Sequence, residues 1–85
     1  MSDLKGKFEA ASADVKKLKE DPGNEAKLQL YALYKQGTEG DVEGRRPGFT
    51  DMIGRAKYDA WAKVKGQTKD DAMKNYISLV KSLQG

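Results

Sequence analysis

The sequence predicts an all-α fold, a four-helix bundle forming a single domain over residues 1–85. Apolar residues recur at three- and four-residue steps in four separate segments, the spacing that lines up one face of a helix. No run alternates apolar and polar residues between turn signals as a strand would. At 85 residues without cysteine, the chain fits one domain of the usual range, about 50–250 residues, and cannot use disulfides. It must therefore fold on helix packing or gain stability from a ligand.

In the first segment Leu4, Phe8, Ala11, Val15 and Leu18 share a face. The helix is expected to stop near Asp21-Pro22-Gly23, where proline lacks an amide donor and glycine favours a turn. The second runs from about Asn24 to Gly37, with Leu30, Leu33 and Tyr34 on one face and Ala26 beside it. Leu28, Tyr31 and Lys35 fall on roughly the opposite side at about 100° per residue. A helix apolar on two faces belongs in the middle of a bundle, and the lysine ending the second face predicts that this face borders something charged. From Thr38 to Asp51 the chain is rich in Gly and Asp, contains Pro47 and lacks periodicity. That reads as a long loop, a feature often functional in a small domain. A third, shorter helix places Ile53, Ala56, Ala60 and Val64 on one stripe, flanked by Lys57 and Trp61, and ends at Gly66. Thr68 and Asp71 then form a T-x-x-D start to a last helix carrying Ala72, Met73, Tyr76, Ile77, Val80 and Leu83.

Composition narrows the function classes. The chain has no His and no Cys, which removes the usual zinc, haem and iron–sulfur ligand sets, and no EF-hand loop is present; no cofactor is expected. The commonest general base and the most nucleophilic side chain are missing as well, so the sequence is not expected to encode an enzyme. Sixteen basic residues against thirteen acidic ones leave a net charge of +3. The two signs are interspersed, unlike the clustered Lys and Arg of a nucleic-acid surface, so no nucleic-acid partner is expected. No stretch approaches the roughly 18 apolar residues of a membrane span, and the start of the chain lacks the apolar core of a leader peptide. Stable membrane insertion is not expected, and the cytoplasm is the expected location.

Phe8, Ser12 and Lys16 recur every four residues, running from an aromatic ring to an ammonium group. Leu28, Tyr31 and Lys35 repeat the apolar–aromatic–cationic order on the second helix. Lys57 sits one turn before Trp61, and Tyr76 lies midway along the fourth helix. If these edges converge they form a groove with an apolar end and a basic, phenol-lined end. Lysines and tyrosine hydroxyls suit a phosphorylated head group, and an aromatic face can stack on a purine. The alternative is that the tyrosines are core residues and the lysines are solvated. A further alternative is a helical interaction module that offers a basic edge to an acidic protein, a membrane surface or nucleic acid. Gly37, Gly40, Gly44 and Gly48 read as turn formers. Arg46 is expected to pin the loop through a carboxylate, with Arg45 solvated.

The blocks Tyr31-Ala32-Leu33-Tyr34-Lys35-Gln36, Gly40-Asp41, Arg46-Pro47-Gly48, Ala56-Lys57-Tyr58-Asp59-Ala60-Trp61, Lys65-Gly66, Asp71-Ala72-Met73 and Tyr76-Ile77 resemble, in order and spacing, the acyl-CoA-binding protein family. The resemblance covers nearly the whole chain. It implies an up-down-down-up bundle with a bowl-shaped site, a monomer that binds long-chain acyl-CoA and delivers it to enzymes. It also implies that Tyr31, Lys35 and Lys57 hold the ribose 3′-phosphate. Tyr34 and Tyr76 would contact the adenosine, Lys16 would lie near the head group, and Phe8, Ser12 and Leu28 would lie along the acyl chain. Three departures stand out: Ile53 where many members carry lysine, Tyr58 in place of the usual tryptophan, and a shorter, less basic tail ending at Gln84-Gly85. They bear on chain-length preference more than on ligand class.

Overall fold

The computed structural model describes residues 3–85. Helix α1 spans Leu4–Val15, α2 Asn24–Glu39, α3 Met52–Lys63 and α4 Lys69–Gln84, and no strand occurs among the described residues. Side by side the order is α1, α4, α2, α3, with α4 packed between α1 and α2, and α2 between α4 and α3. The result is a slab of 40 × 31 × 15 Å.

Contacts at the two ends fix the helix directions. At one end α1 begins, α2 finishes and α4 begins, all meeting at Gly37. A Cβ there would lie 3.2 Å from Met73 Cγ and 3.4 Å from Phe8 Cζ, so the absent side chain allows the close approach. At the other end Asp14 of α1 and Gln84 of α4 line the same surface hollows. Asn24 and Lys27 near the start of α2 face Met52 and Ile53 at the start of α3. The end of α2 meets the end of α3 where Trp61 Nε1 donates to Gly40 O at 2.8 Å. Helices α1 and α4 therefore run one way and α2 and α3 the other, which is the expected up-down-down-up arrangement.

This topology explains the long loop. Parallel neighbours cannot be joined by a tight turn, so residues 40–51 must travel back along α2, about 24 Å for its sixteen residues. Gly40, at φ 87°, turns the chain out of the helix in a conformation that favours glycine. The return path is fastened to α3. Arg46 Nε donates to Asp59 Oδ1 at 2.8 Å, Arg46 Nη2 to Asp59 Oδ2 at 2.6 Å, and Tyr58 Oη to Gly44 O at 3.0 Å. Arg46 thus holds the loop, as expected, while Arg45 is exposed.

Three helix boundaries and one face differ from the sequence reading. Helix α1 ends at Val15, before Leu18, because the amides of Lys16, Lys17 and Leu18 all bond three residues back and tighten the chain into a turn. Helix α2 continues two residues past Gly37, where Thr38 Oγ1 donates to Tyr34 O at 2.8 Å and Glu39 pairs with Lys35 one turn earlier. Helix α3 ends at Lys63, before Gly66, because the Val64 and Lys65 amides bond three residues back. The core consists of Phe8, Ala11, Leu30, Leu33, Ala72, Tyr76 and Val80. Helix α3 contributes no fully buried residue. Among the helices it packs only on α2, so no helix covers the far end of its apolar stripe, and Ile53 is 73% exposed. The caps that open α3 and α4, at opposite ends of the bundle, are both local. Asp51 accepts the Gly54 amide at the start of α3, and Thr68 Oγ1 accepts the Asp71 amide at 3.0 Å at the start of α4.

Candidate functional site

Parallel packing of α2 and α3 sets two i,i+4 pairs against each other, Tyr31 with Lys35 and Lys57 with Trp61. Each ammonium rests on a ring of the opposite helix. Lys57 Nζ lies 5.4 Å from the Tyr31 ring centroid and Lys35 Nζ 5.4 Å from that of Trp61. Such cation–ring contacts hold a lysine in place while its remaining N–H donors stay free for an anion.

A buried polar knot fixes this register. Gln36 is fully buried. Its Nε2 donates to Asp41 Oδ1 and to Gln67 O, both at 2.8 Å, and its Oε1 accepts from Trp61 Nε1 at 3.2 Å. Asp41 Oδ1 also accepts the Gly66 amide at 2.8 Å. One glutamine thereby joins α2 to the crossover, to Trp61 and to the α3–α4 connection, and every polar atom of its side chain is satisfied, as a buried amide requires.

The Gly66 amide, and after it Gln36, holds the Asp41 carboxyl below its ordinary 3.8, and Arg46 does the same for Asp59. An unfolded chain therefore takes up these protons more readily than the folded one, so the stabilisation is complete above 3.8 and drains away as the pH falls below it. The melting temperature should hold steady down to that region and then drop. Asp41→Asn combined with Asp59→Asn should flatten the decline, as followed by circular dichroism. An unchanged slope would remove both carboxylates from the acid response.

The two lysines differ in charge environment. Lys35 pairs with Glu39, whose hydrogen bond is the main cause holding the ammonium above the usual lysine value. Lys57 is exposed and has no carboxylate partner among the described residues. Glu39 lies beyond the periodic segment that the sequence ends at Gly37, and its spacing of four from Lys35 is the one local signal for the pair. Nothing local in the sequence reveals the knot between Gln36 and Trp61, which lie 25 residues apart.

Phe8, Tyr34 and Tyr76 form a ring cluster. Centroid separations are 5.4 Å for Phe8–Tyr34, 5.0 Å for Phe8–Tyr76 and 6.1 Å for Tyr34–Tyr76. Phe8 and Tyr76 are core residues at 3% and 4% exposure, whereas Tyr34 is 42% exposed. Burial also pushes the Tyr76 phenol up. Of the three, only Tyr34 offers an open face. A cavity of about 300 Å³ beside the cluster is lined by Phe8, Ser12, Tyr34 and Thr38, although the Ser12 hydroxyl is turned back onto Glu9 O at 2.8 Å. Leu28 lies with Tyr31, Met52, Ile53, Ala56 and Lys57 around a groove of about 460 Å³ between α2 and α3. Lys16 stands apart, exposed in the turn after α1, and its side chain makes no hydrogen bond or ion pair with the described residues.

A larger cavity, about 630 Å³, lies elsewhere, between α2, α3 and α4 with Leu33, Val64 and Leu79 in its wall. It is roomier than the α2–α3 groove, but neither ring-held lysine lines it. The α2–α3 groove sets an apolar trough beside the held Lys57 ammonium, with Lys35 one turn beyond Tyr31 on α2, so it suits an amphiphile with an anionic head. No described helix is long and apolar enough to cross a membrane.

Known proteins resemble this chain in sequence and fold. The family model described as Acyl CoA binding protein matches residues 5–80. The chain is 51% identical over 76 residues to acyl-CoA-binding protein homolog 1 of Caenorhabditis elegans, covering 89% of this chain and 88% of that one. It is 53% identical to enoyl-CoA delta isomerase 2 of Rattus norvegicus over 89% of this chain, but spans only 19% of that relative's length. The crystal structure of Oryza sativa acyl-CoA-binding protein 2 superposes with a TM-score of 0.90 at 45% identity, covering 94% of this chain and 89% of that one. With a family-model match over residues 5–80 and a relative 51% identical over most of both chains, the chain belongs to the acyl-CoA-binding protein family.

Proposed function

We propose that this chain binds long-chain fatty acyl-CoA esters and carries them as a cytoplasmic monomer, without a chemical step of its own. The observation that carries the reading is the α2–α3 groove. Two ammonium groups are held against aromatic rings beside an apolar trough of about 460 Å³. In this reading Tyr31, Lys35 and Lys57 take the ribose 3′-phosphate, Tyr34 stacks on the adenine with Tyr76 backing it from the core, and Lys16 lies near the head group. Leu28 lines the acyl path, with Phe8 and Ser12 at its margin.

The test is calorimetry with both halves of the ligand. Burying apolar chain contributes about 0.8 kcal/mol per methylene, so affinity should climb about fourfold per added carbon until the groove is filled. Free CoA and free palmitate should each bind far more weakly than palmitoyl-CoA. Equal affinity for the ester and for free palmitate would overturn the reading.

Glu39 occupies Lys35 when no ligand does. A phosphate must displace it, and an exposed i,i+4 pair is worth about 0.3–0.5 kcal/mol. Glu39→Gln should therefore tighten palmitoyl-CoA binding by about twofold at low salt, with helix content unchanged. Weaker binding in that variant would instead show that Glu39 positions the lysine.

A further inference from the structure

We propose that the tip formed by Phe49, Met52 and Ile53 docks the protein on the surface of an anionic bilayer. The three side chains are 78%, 77% and 73% exposed, the largest exposures among the big apolar residues described. They crowd into five positions around the start of α3. The tip is also preformed. Asp51 N donates to Gly48 O at 2.9 Å to close a turn, the Asp51 carboxylate accepts the Gly54 amide at 3.0 Å, and Arg55 N donates to Asp51 O at 3.0 Å. Three large apolar groups held out on a rigid turn form a convex knob. Knobs of this kind insert shallowly at the headgroup boundary when cations stand beside them.

Charge on the groove side of the tip suits a negative surface. Lys27 and Lys57 share the groove wall with Met52 and Ile53. Of the nearby carboxylates, Asp21 is paired with Lys27 and Asp51 is engaged at the helix cap. Lys57 has no carboxylate partner among the described residues, and Arg45 is exposed earlier in the same loop. Juxtamembrane cations are attracted by anionic lipid within about a Debye length of the surface.

The tip is continuous with the proposed ligand groove, since Met52 and Ile53 belong to both. Here the inference rests on the proposed function. An acyl-CoA ester partitions into bilayers, and inserting the tip sets the mouth of the groove at headgroup level, where a chain can pass between lipid and protein without crossing water. Ile53 matters most in this respect, because a charged side chain there would interrupt the apolar knob.

The experiment is co-sedimentation of the full chain, without ligand, using vesicles of phosphatidylcholine alone and of phosphatidylcholine with one-fifth phosphatidylserine. Binding is expected to the mixed vesicles at low salt, weaker in 0.5 M salt and weaker still to phosphatidylcholine. Phe49→Ser should lower the bound fraction several-fold, and Met52→Ser with Ile53→Lys at least tenfold. Phe49→Ser should leave palmitoyl-CoA affinity in vesicle-free solution unchanged. Absence of wild-type binding to either vesicle, as expected if a protein occupies the tip, overturns the inference and leaves the carrier function standing. Vesicle binding that Phe49→Ser does not alter also overturns it, since lysines alone would then be responsible. Vesicle binding through the tip without any acyl-CoA affinity would support the docking surface while removing the carrier reading.

Discussion

Replacing Phe8 with alanine should destabilise the protein by about 3–5 kcal/mol, the usual cost of truncating a buried aromatic residue. Phe8 is 3% exposed, stacks on Tyr34 at 5.4 Å and meets Tyr76 edge-on at 5.0 Å. It is also the ring through which α1, which packs only on α4, reaches α2. Domains of this size lie toward the low end of the ordinary stability range, about 5–15 kcal/mol, so the variant should be marginally folded at room temperature. Urea unfolding followed by circular dichroism measures the loss directly. If the ring served chiefly to line an acyl chain, the unfolding midpoint would stay put while binding weakened. On the core reading the order reverses: stability falls first, and saturating palmitoyl-CoA restores part of it. Ligand at a hundred times its dissociation constant contributes about 2.7 kcal/mol, enough to refold much of the population but not to reach the wild-type midpoint.

The contrast between Phe8 and its neighbours shows what the sequence could and could not convey. All four helices were legible, because each combines a periodic apolar face with a recognisable start or stop, and the Thr68 start of α4 and the pairing of Arg46 with a carboxylate followed from local chemistry. Periodicity reports that a stripe exists without saying whether another helix covers it. Ala72 and Val80 are buried because α4 lies between two helices, while Ile53 is bare because α3 lies at the edge. The pairing of Tyr31 with Lys35 follows from spacing on one helix. Their meeting with Lys57 and Trp61 depends on α3 running parallel to α2, which the crossover determines and no local pattern reveals. Tyr34 and Tyr76 look alike in the chain but differ tenfold in exposure, 42% against 4%, because α1 lays Phe8 against Tyr76 and leaves one face of Tyr34 open.

Removing the ligand's 3′-phosphate and removing Lys57 should have overlapping rather than additive effects, and that overlap is the sharpest test of the proposed head-group site. In the ligand-free protein Lys57 rests on the Tyr31 ring without a carboxylate partner, one cation–ring contact away from Lys35 on Trp61. Dephospho-CoA esters lack only the group these side chains are proposed to hold. Hydrogen bonds to charged groups contribute about 1.5–3 kcal/mol each in favourable settings, so wild-type protein should lose more than tenfold in affinity for palmitoyl-dephospho-CoA. Lys57→Ala should bind palmitoyl-CoA more weakly to begin with and discriminate far less between the two esters, because its share of the contact is already missing. Since Lys57 is exposed and lies outside the core, the variant's melting temperature should stay close to that of the wild type. A generic basic edge would behave differently, losing a similar small increment in both proteins through long-range charge that salt screens. Calorimetry on the four combinations gives the coupling energy. A value above about 1 kcal/mol that survives physiological salt places the ammonium on the phosphate, whereas coupling within about 0.5 kcal/mol of zero, the additivity expected of independent groups, takes Lys57 out of the site.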